Sequence, residues 1–196
     1  MCTIYDIHSQ KNLKTIPDED MYNKTDYESK EFLACCFGPQ SSKSDNKTII
    51  TLTGEPDWML ILWNWDTQKM ITKINIGITG VPFSINEKGP DIEPEYNFQV
   101  SFDPSEPTCV IVTGIDTYRY LRIEEGKFNE EHTQVNIADR QISTKYTCHT
   151  WLVHGGLIVC TENGEIFLCE DGAFKCYIPE SPVDENLKIE ACIPFT

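Results

Sequence analysis

The sequence predicts an all-β chain built from repeated four-stranded antiparallel sheets, and three observations predict it. Apolar residues recur with period two or in short runs, and β-branched and aromatic residues are concentrated in those runs. The intervals between runs are also too short for the crossovers that parallel strands need. Strands are expected near 2–7, 12–16, 31–37, 47–53, 58–65, 69–76, 97–102, 108–113, 117–123, 133–137, 147–152, 156–161, 165–169 and 173–178.

Taken in order, these strands fall into groups of four. Cys2-Thr3-Ile4-Tyr5-Asp6-Ile7 and Asn12-Leu13-Lys14-Thr15-Ile16 read as the third and fourth strands of a unit. An acidic, polar stretch over 17–30 follows. The first complete group opens with Glu31-Phe32-Leu33-Ala34-Cys35-Cys36-Phe37-Gly38-Pro39, runs through Ile49-Ile50-Thr51-Leu52-Thr53-Gly54, and closes with strands near 58–65 and 69–76. After a stretch at 77–96 that mixes glycine, proline and charge, the second group opens with Gln99-Val100-Ser101-Phe102-Asp103-Pro104 and continues through Val110-Ile111-Val112-Thr113-Gly114. Phe37-Gly38-Pro39 thus matches Phe102-Asp103-Pro104, and Thr53-Gly54 matches Thr113-Gly114. The third group keeps the spacing without the Phe-x-Pro mark. Its Asn163-Gly164 and Asp171-Gly172 pairs suit two-residue hairpin turns, which need positive φ angles. Ile189-Glu190-Ala191-Cys192-Ile193-Pro194 resembles another first strand.

Repeated four-stranded groups with periodic aromatic and glycine marks are the signature of propeller blades, because each small sheet must bury both faces against its neighbours. The expectation is a single partial β-propeller over 1–196, with blade pieces at 1–16, 31–76, 97–137, 146–178 and 189–196 and insertion loops at 17–30 and 77–96. Half a blade, three whole blades and a stub are too few for a closed ring of about four to eight. Open apolar blade faces are therefore expected, to be covered by a longer parent chain or by self-association.

Leu60-Ile61-Leu62-Trp63-Asn64-Trp65-Asp66 carries Trp-Asp at the end of a blade's third strand, the mark of a WD repeat. Alternation puts Trp63 and Trp65 on one face, and either Trp63-Asn64 or Trp65-Asp66 fits the usual place of the dipeptide. Trp58, Trp63, Trp65 and Asp66 are accordingly assigned structural roles in this strand. With Lys30 to Pro39, the Gly54-Glu55-Pro56-Asp57-Trp58 segment, Gln68-Lys69-Met70, His149-Thr150-Trp151 and Gly164-Glu165-Ile166-Phe167-Leu168, the chain resembles the WD-repeat region of the cilia- and flagella-associated protein 57 family over about 30–175. The resemblance implies tandem N-terminal propellers, a C-terminal coiled coil, an axonemal location in the cytoskeleton of the cilium or flagellum, and a role in docking and regulating inner dynein arms. This chain has neither the coiled coil nor enough blades for one propeller; a short isoform, a truncated relative or a fragment would account for that. The partners implied are proteins, of the inner dynein arm or associated with microtubules. A general cytosolic WD-repeat adaptor is the alternative reading.

Composition agrees with a binding role. Lys plus Arg number 16 against 31 Asp plus Glu, and a formal charge of -15 repels a phosphate backbone, which excludes nucleic acid as a natural partner. The acidity suits either plain solubility or a basic protein partner. No apolar run reaches the length of a membrane span, and the N-terminus shows no secretory pattern, so a cytoplasmic location is expected. The nine cysteines include no CxxC and sit mostly in apolar runs, reading as small buried hydrophobes in a reducing compartment. No metal or cofactor is expected. His8, His132, His149 and His154 are scattered, and Glu124-Glu125, Glu130-Glu131 and Asp18-Glu19-Asp20 read as solvated charge, not as facing catalytic pairs. With no hydrolase, zincin or P-loop motif, the chain is read as no enzyme. A propeller-type hydrolase is the remaining enzymatic alternative, and it needs a closed ring.

Overall fold

The short continuous apolar runs of the inner strands leave each sheet with two apolar faces, and the fold answers that demand by stacking sheets side by side. The computed structural model describes residues 1–18, 26–29, 31–39, 47–77, 97–137, 144–153 and 155–178. Among these residues there are fourteen strands and no helix. The strands are β1 (Cys2–Asp6), β2 (Lys11–Ile16), β3 (Phe32–Phe37), β4 (Thr48–Thr53), β5 (Met59–Asn64), β6 (Lys69–Asn75), β7 (Gln99–Phe102), β8 (Cys109–Gly114), β9 (Thr117–Glu124), β10 (Lys127–His132), β11 (Tyr146–Trp151), β12 (Leu157–Thr161), β13 (Ile166–Glu170) and β14 (Ala173–Tyr177).

They form one two-stranded sheet, β1-β2, and three four-stranded sheets, β3 to β6, β7 to β10 and β11 to β14, each ordered as in the sequence and antiparallel throughout. The fold class is all-β. First strand lies against first strand where β3 meets β7, and last against last where β6 meets β10, so the sheets stack as blades about a common axis. The stretches at 19–25 and 78–96 and the segment 189–196, read as parts of loops and as a further first strand, lie outside the described residues.

The alternation along each inner strand divides its residues between two seams. Between the first and second full blades, Ile50, Leu52, Leu60 and Leu62 pack with Val100, Phe102, Val110 and Val112. The odd-numbered neighbours Ile49, Ile61 and Trp63 point the other way, onto Ile4 and Ile16 of the half-blade. On β8, Cys109 and Ile111 turn toward Leu157, Val159 and Phe167 of the third full blade. Burial of this kind is the main stabilising contribution, at about 25 cal/mol per Å² of apolar surface. Tyr27 is pinned into the first seam as the backbone N–H groups of Glu28 and Ser29 both donate to the Asp57 carboxylate.

Two local expectations are corrected. The fourth strand of the second full blade is 127–132, not 133–137. A two-residue turn, Glu125 (φ 50°) and Gly126 (φ 74°), sends the chain back immediately, and β10 is a solvent-exposed edge strand whose Lys, Asn and Glu residues give no apolar alternation to read. Asn163-Gly164 is not a two-residue turn either. The loop spans Glu162 to Glu165, closed by the Thr161 N–H donating to the Glu165 carbonyl at 3.0 Å, and of the pair only Gly164 takes a positive φ. Asp171 (φ 48°) and Gly172 (φ 76°) do form the two-residue turn.

Candidate functional site

Buried polar groups must find partners, and among the described residues a connected cluster of them lies in a seam between blades. β11 places His149 at 1% exposure against β7 and β8 of the preceding blade. Its Nε2 lies 2.7 Å from the Ser101 hydroxyl and its Nδ1 2.7 Å from the Thr113 hydroxyl. The Trp151 indole N–H donates to the same Ser101 oxygen at 2.8 Å. Gln99 clamps the His149 backbone on both sides: its side-chain carbonyl accepts from the His149 N–H at 2.8 Å, and its amide donates to the His149 carbonyl at 3.0 Å.

Both ring nitrogens are thus satisfied in a neutral imidazole, one accepting from a hydroxyl and the other donating to one. Burial holds the His149 pKa down at about 4, with Cys148 opposing the shift slightly. A general base needs a pKa near working pH and an approach for substrate. This histidine has neither, and the arrangement does structural work across the seam.

The tryptophan strand is built on the same plan. Trp63 is fully buried, and its indole N–H donates to the Thr51 hydroxyl at 2.9 Å across the sheet. β5 ends at Asn64, so Trp65 and Asp66 stand just beyond it. Trp65 packs edge-on to Phe37 at 6.5 Å under the Lys47 ammonium, and Lys47 pairs with Asp66 at 2.9 Å, holding that carboxyl below its usual range. Trp58 sits elsewhere, in the seam between the first two full blades, with its ring 5.6 Å from that of Phe98.

The other histidines and the adjacent acidic pairs do not converge on one another among the described residues. His8 is exposed, His132 lies at the edge of β10 beside Tyr120, and His154, Glu19 and Asp20 lie outside the described residues. Glu124, Glu125, Glu130 and Glu131 are exposed on the β9–β10 hairpin, where Arg122 pairs with Glu131 at 2.7 Å and Arg119 with Glu130 at 3.4 Å. Among the described residues no three His, Cys, Asp or Glu side chains are grouped to hold a metal ion, and no helix is long and apolar enough to cross a membrane.

The surface available for binding is therefore made of faces and rims. The half-blade carries exposed Tyr5, Ile7 and Leu13, and a shallow hollow of about 670 Å³ lined in part by Thr3, Leu13, Lys14 and Gln68. At the far end of the row Leu152, Val153 and Ile178 are exposed. Sequence reasoning had no means of finding the Gln99–Ser101–Thr113–Trp151 setting of His149, because alternation gives the face a residue occupies but not the partner opposite.

No family model matches the chain. It is 28% identical over 170 residues to cilia- and flagella-associated protein 57 of Mus musculus, and 25% identical over 176 residues to cilia- and flagella-associated protein 57 A of Tetrahymena thermophila; each match covers 87% of this chain. The chain spans 11% and 12% of the length of these relatives. The Cps50 (Swd1) β-propeller domain of Myceliophteria thermophila is similar in fold, with a TM-score of 0.56 and 11% identity over 86% of this chain and 44% of that one. The chain thus resembles a segment of the ciliary and flagellar proteins in sequence and a β-propeller in architecture.

Proposed function

We propose that the chain is a segment of a non-catalytic WD-repeat scaffold of the ciliary or flagellar axoneme, binding other proteins through its blade faces and rims. The observation that carries this reading is the similarity to the mouse and Tetrahymena proteins over 87% of the chain. The site chemistry is consistent with it, since the polar cluster around His149 is consumed in joining blades. An axonemal scaffold of this kind would contact the inner dynein arm or microtubule-associated proteins, and the exposed apolar residues of the half-blade are where the rest of a longer chain, or a second copy, would seat.

Tagging the protein in ciliated cells and purifying its complexes tests this directly. The expected result is signal along the axoneme with dynein-arm or microtubule-associated proteins recovered. A diffuse cytosolic signal with no axonemal protein recovered would overturn it and favour a general adaptor.

A further inference from the structure

The third full blade carries two cysteines in direct register, Cys148 on β11 opposite Cys160 on β12. Leu157 and Val159 of β12 turn toward the second full blade. By alternation Cys160 lies on the other face of the sheet, and a directly opposed residue shares its partner's face, so Cys148 lies there too. Cys169 packs into the seam with Leu157 and Val159, on the wrong side of the sheet to compete for either thiol. Cys148 is 5% and Cys160 1% exposed.

The ladder fixes their spacing. The Thr161 N–H donates to the Glu165 carbonyl at 3.0 Å, so the odd-numbered residues of β12 bond to β13 and the even-numbered ones to β11. Gln99 occupies both backbone groups of His149, which agrees: on β11 it is the even-numbered residues that bond to β12. Cys148 and Cys160 are therefore a hydrogen-bonded cross-strand pair, with Cα atoms about 5.5 Å apart. That lies inside the span of about 4.4–6.8 Å that a disulfide bridges. A register shift between Tyr146 and Cys148 brings the Thr147 hydroxyl within 3.9 Å of the Cys148 sulfur, to which it donates. A donor on sulfur favours the thiolate, so Cys148 is the nucleophile of the pair. Among the described residues β11 is also an edge strand, with β12 as its neighbour in the sheet.

We propose that Cys148 and Cys160 are an oxidation site, which a small peroxide converts to a reversible cross-strand disulfide tying β11 to β12. The Cys148 thiolate attacks one oxygen of hydrogen peroxide, the O–O bond breaks, and the departing hydroxide takes up the thiol proton as water. The Cys160 sulfur then attacks Sγ of the Cys148 sulfenic acid, the S–S bond forms, and the second oxygen leaves as water with the Cys160 proton. Two thiols are oxidised and one peroxide is reduced to two waters, so atoms and electrons balance. The shallow exposure of the pair suits an oxidant of this size. Because β11 carries His149 and Trp151 into the seam, the link holds the strand that joins the second and third full blades.

The test treats the full chain with hydrogen peroxide, alkylates the remaining thiols in denaturant, and digests without reduction using trypsin and a glutamate-specific protease. Peptide 146–162 then carries Cys148 and Cys160 and no other cysteine. The expected product is this peptide lighter by two hydrogens and without alkyl label, restored to two labelled thiols by dithiothreitol. In Cys160→Ser the reaction should stop at a sulfenic acid on Cys148, trapped by dimedone. Oxidation of the wild type should also raise the thermal midpoint by roughly 5–10 °C, because the link restricts the unfolded chain. Full alkylation of both cysteines after peroxide, sulfinic acid on Cys148 in place of the link, or a link from Cys148 to Cys169 would overturn the proposal. The wild-type peptide map needs no variant to fold.

Discussion

His149 is the residue on which the most physical chemistry converges. An unfolded imidazole takes up its proton near 6.5, whereas in the seam it does so only near 4. Between those values the unfolded chain binds more protons than the folded one, so stability rises with pH across that window. The contribution is complete above about 6.5 and is lost progressively as pH falls toward 4, for a total of roughly 3 kcal/mol. Urea titrations at pH 7.5 and 4.5 should show this extra loss in the wild type and its absence in His149→Gln; equal losses in both would remove His149 from the account. Trp63 makes a second residue-scale prediction. Trp63→Phe removes the donor to Thr51 and leaves a buried hydroxyl without it, at a cost of about 1–3 kcal/mol in denaturant unfolding. Trp65→Phe, at a half-buried position beyond the strand end, should cost less than about 1 kcal/mol. Of this scale the sequence displayed the tryptophans and their shared face. It did not display which one is sealed inside, because a single Trp-Asp pattern fits either register.

Turns decide whether the blades close on one another. Asp171-Gly172 and Glu125-Gly126 are both two-residue turns with a glycine at φ near +75°, but their surroundings differ. A Cβ on Gly172 would lie 2.4 Å from Cγ of Tyr120 in the neighbouring blade, and the Gly172 carbonyl accepts from the Tyr118 hydroxyl at 2.7 Å. A Cβ on Gly126 meets nothing within 4 Å. Gly172→Ala should therefore cost about 2–4 kcal/mol, from backbone strain plus the clash, and Gly126→Ala only the strain of about 1–2 kcal/mol. Equal thermal shifts in the two variants would contradict the packing of Tyr120 on this turn. Asp171-Gly172 was legible because Asp-Gly is a favoured pair for such turns. Glu125-Gly126 was not, since glutamate has no preference for positive φ, and missing it displaced the whole of β10.

At the scale of the whole molecule, strand order followed from short connections, and the grouping by four followed from repeated Phe-x-Pro and Thr-Gly marks. Which residues meet across seams was beyond sequence reading: His149 with Ser101 and Tyr118 with Gly172 are brought together only when separate sheets stack. The same stacking leaves Tyr5, Ile7 and Leu13 exposed on the half-blade. Light scattering across a concentration series should show self-association that is weakened by Tyr5→Lys with Leu13→Lys; a monomer at all concentrations would show that this face does not bind a second copy. The central claim is that each sheet is covered by its neighbours in the row. Nuclear Overhauser spectroscopy on the full chain tests it most directly, through pairs that belong to different sheets. Radial stacking predicts cross-peaks between the Trp58 and Phe98 rings, whose centroids lie 5.6 Å apart, and between Tyr118 and Gly172. Absence of both, with contacts instead joining the first full blade to the third as the two halves of a sandwich, would contradict it.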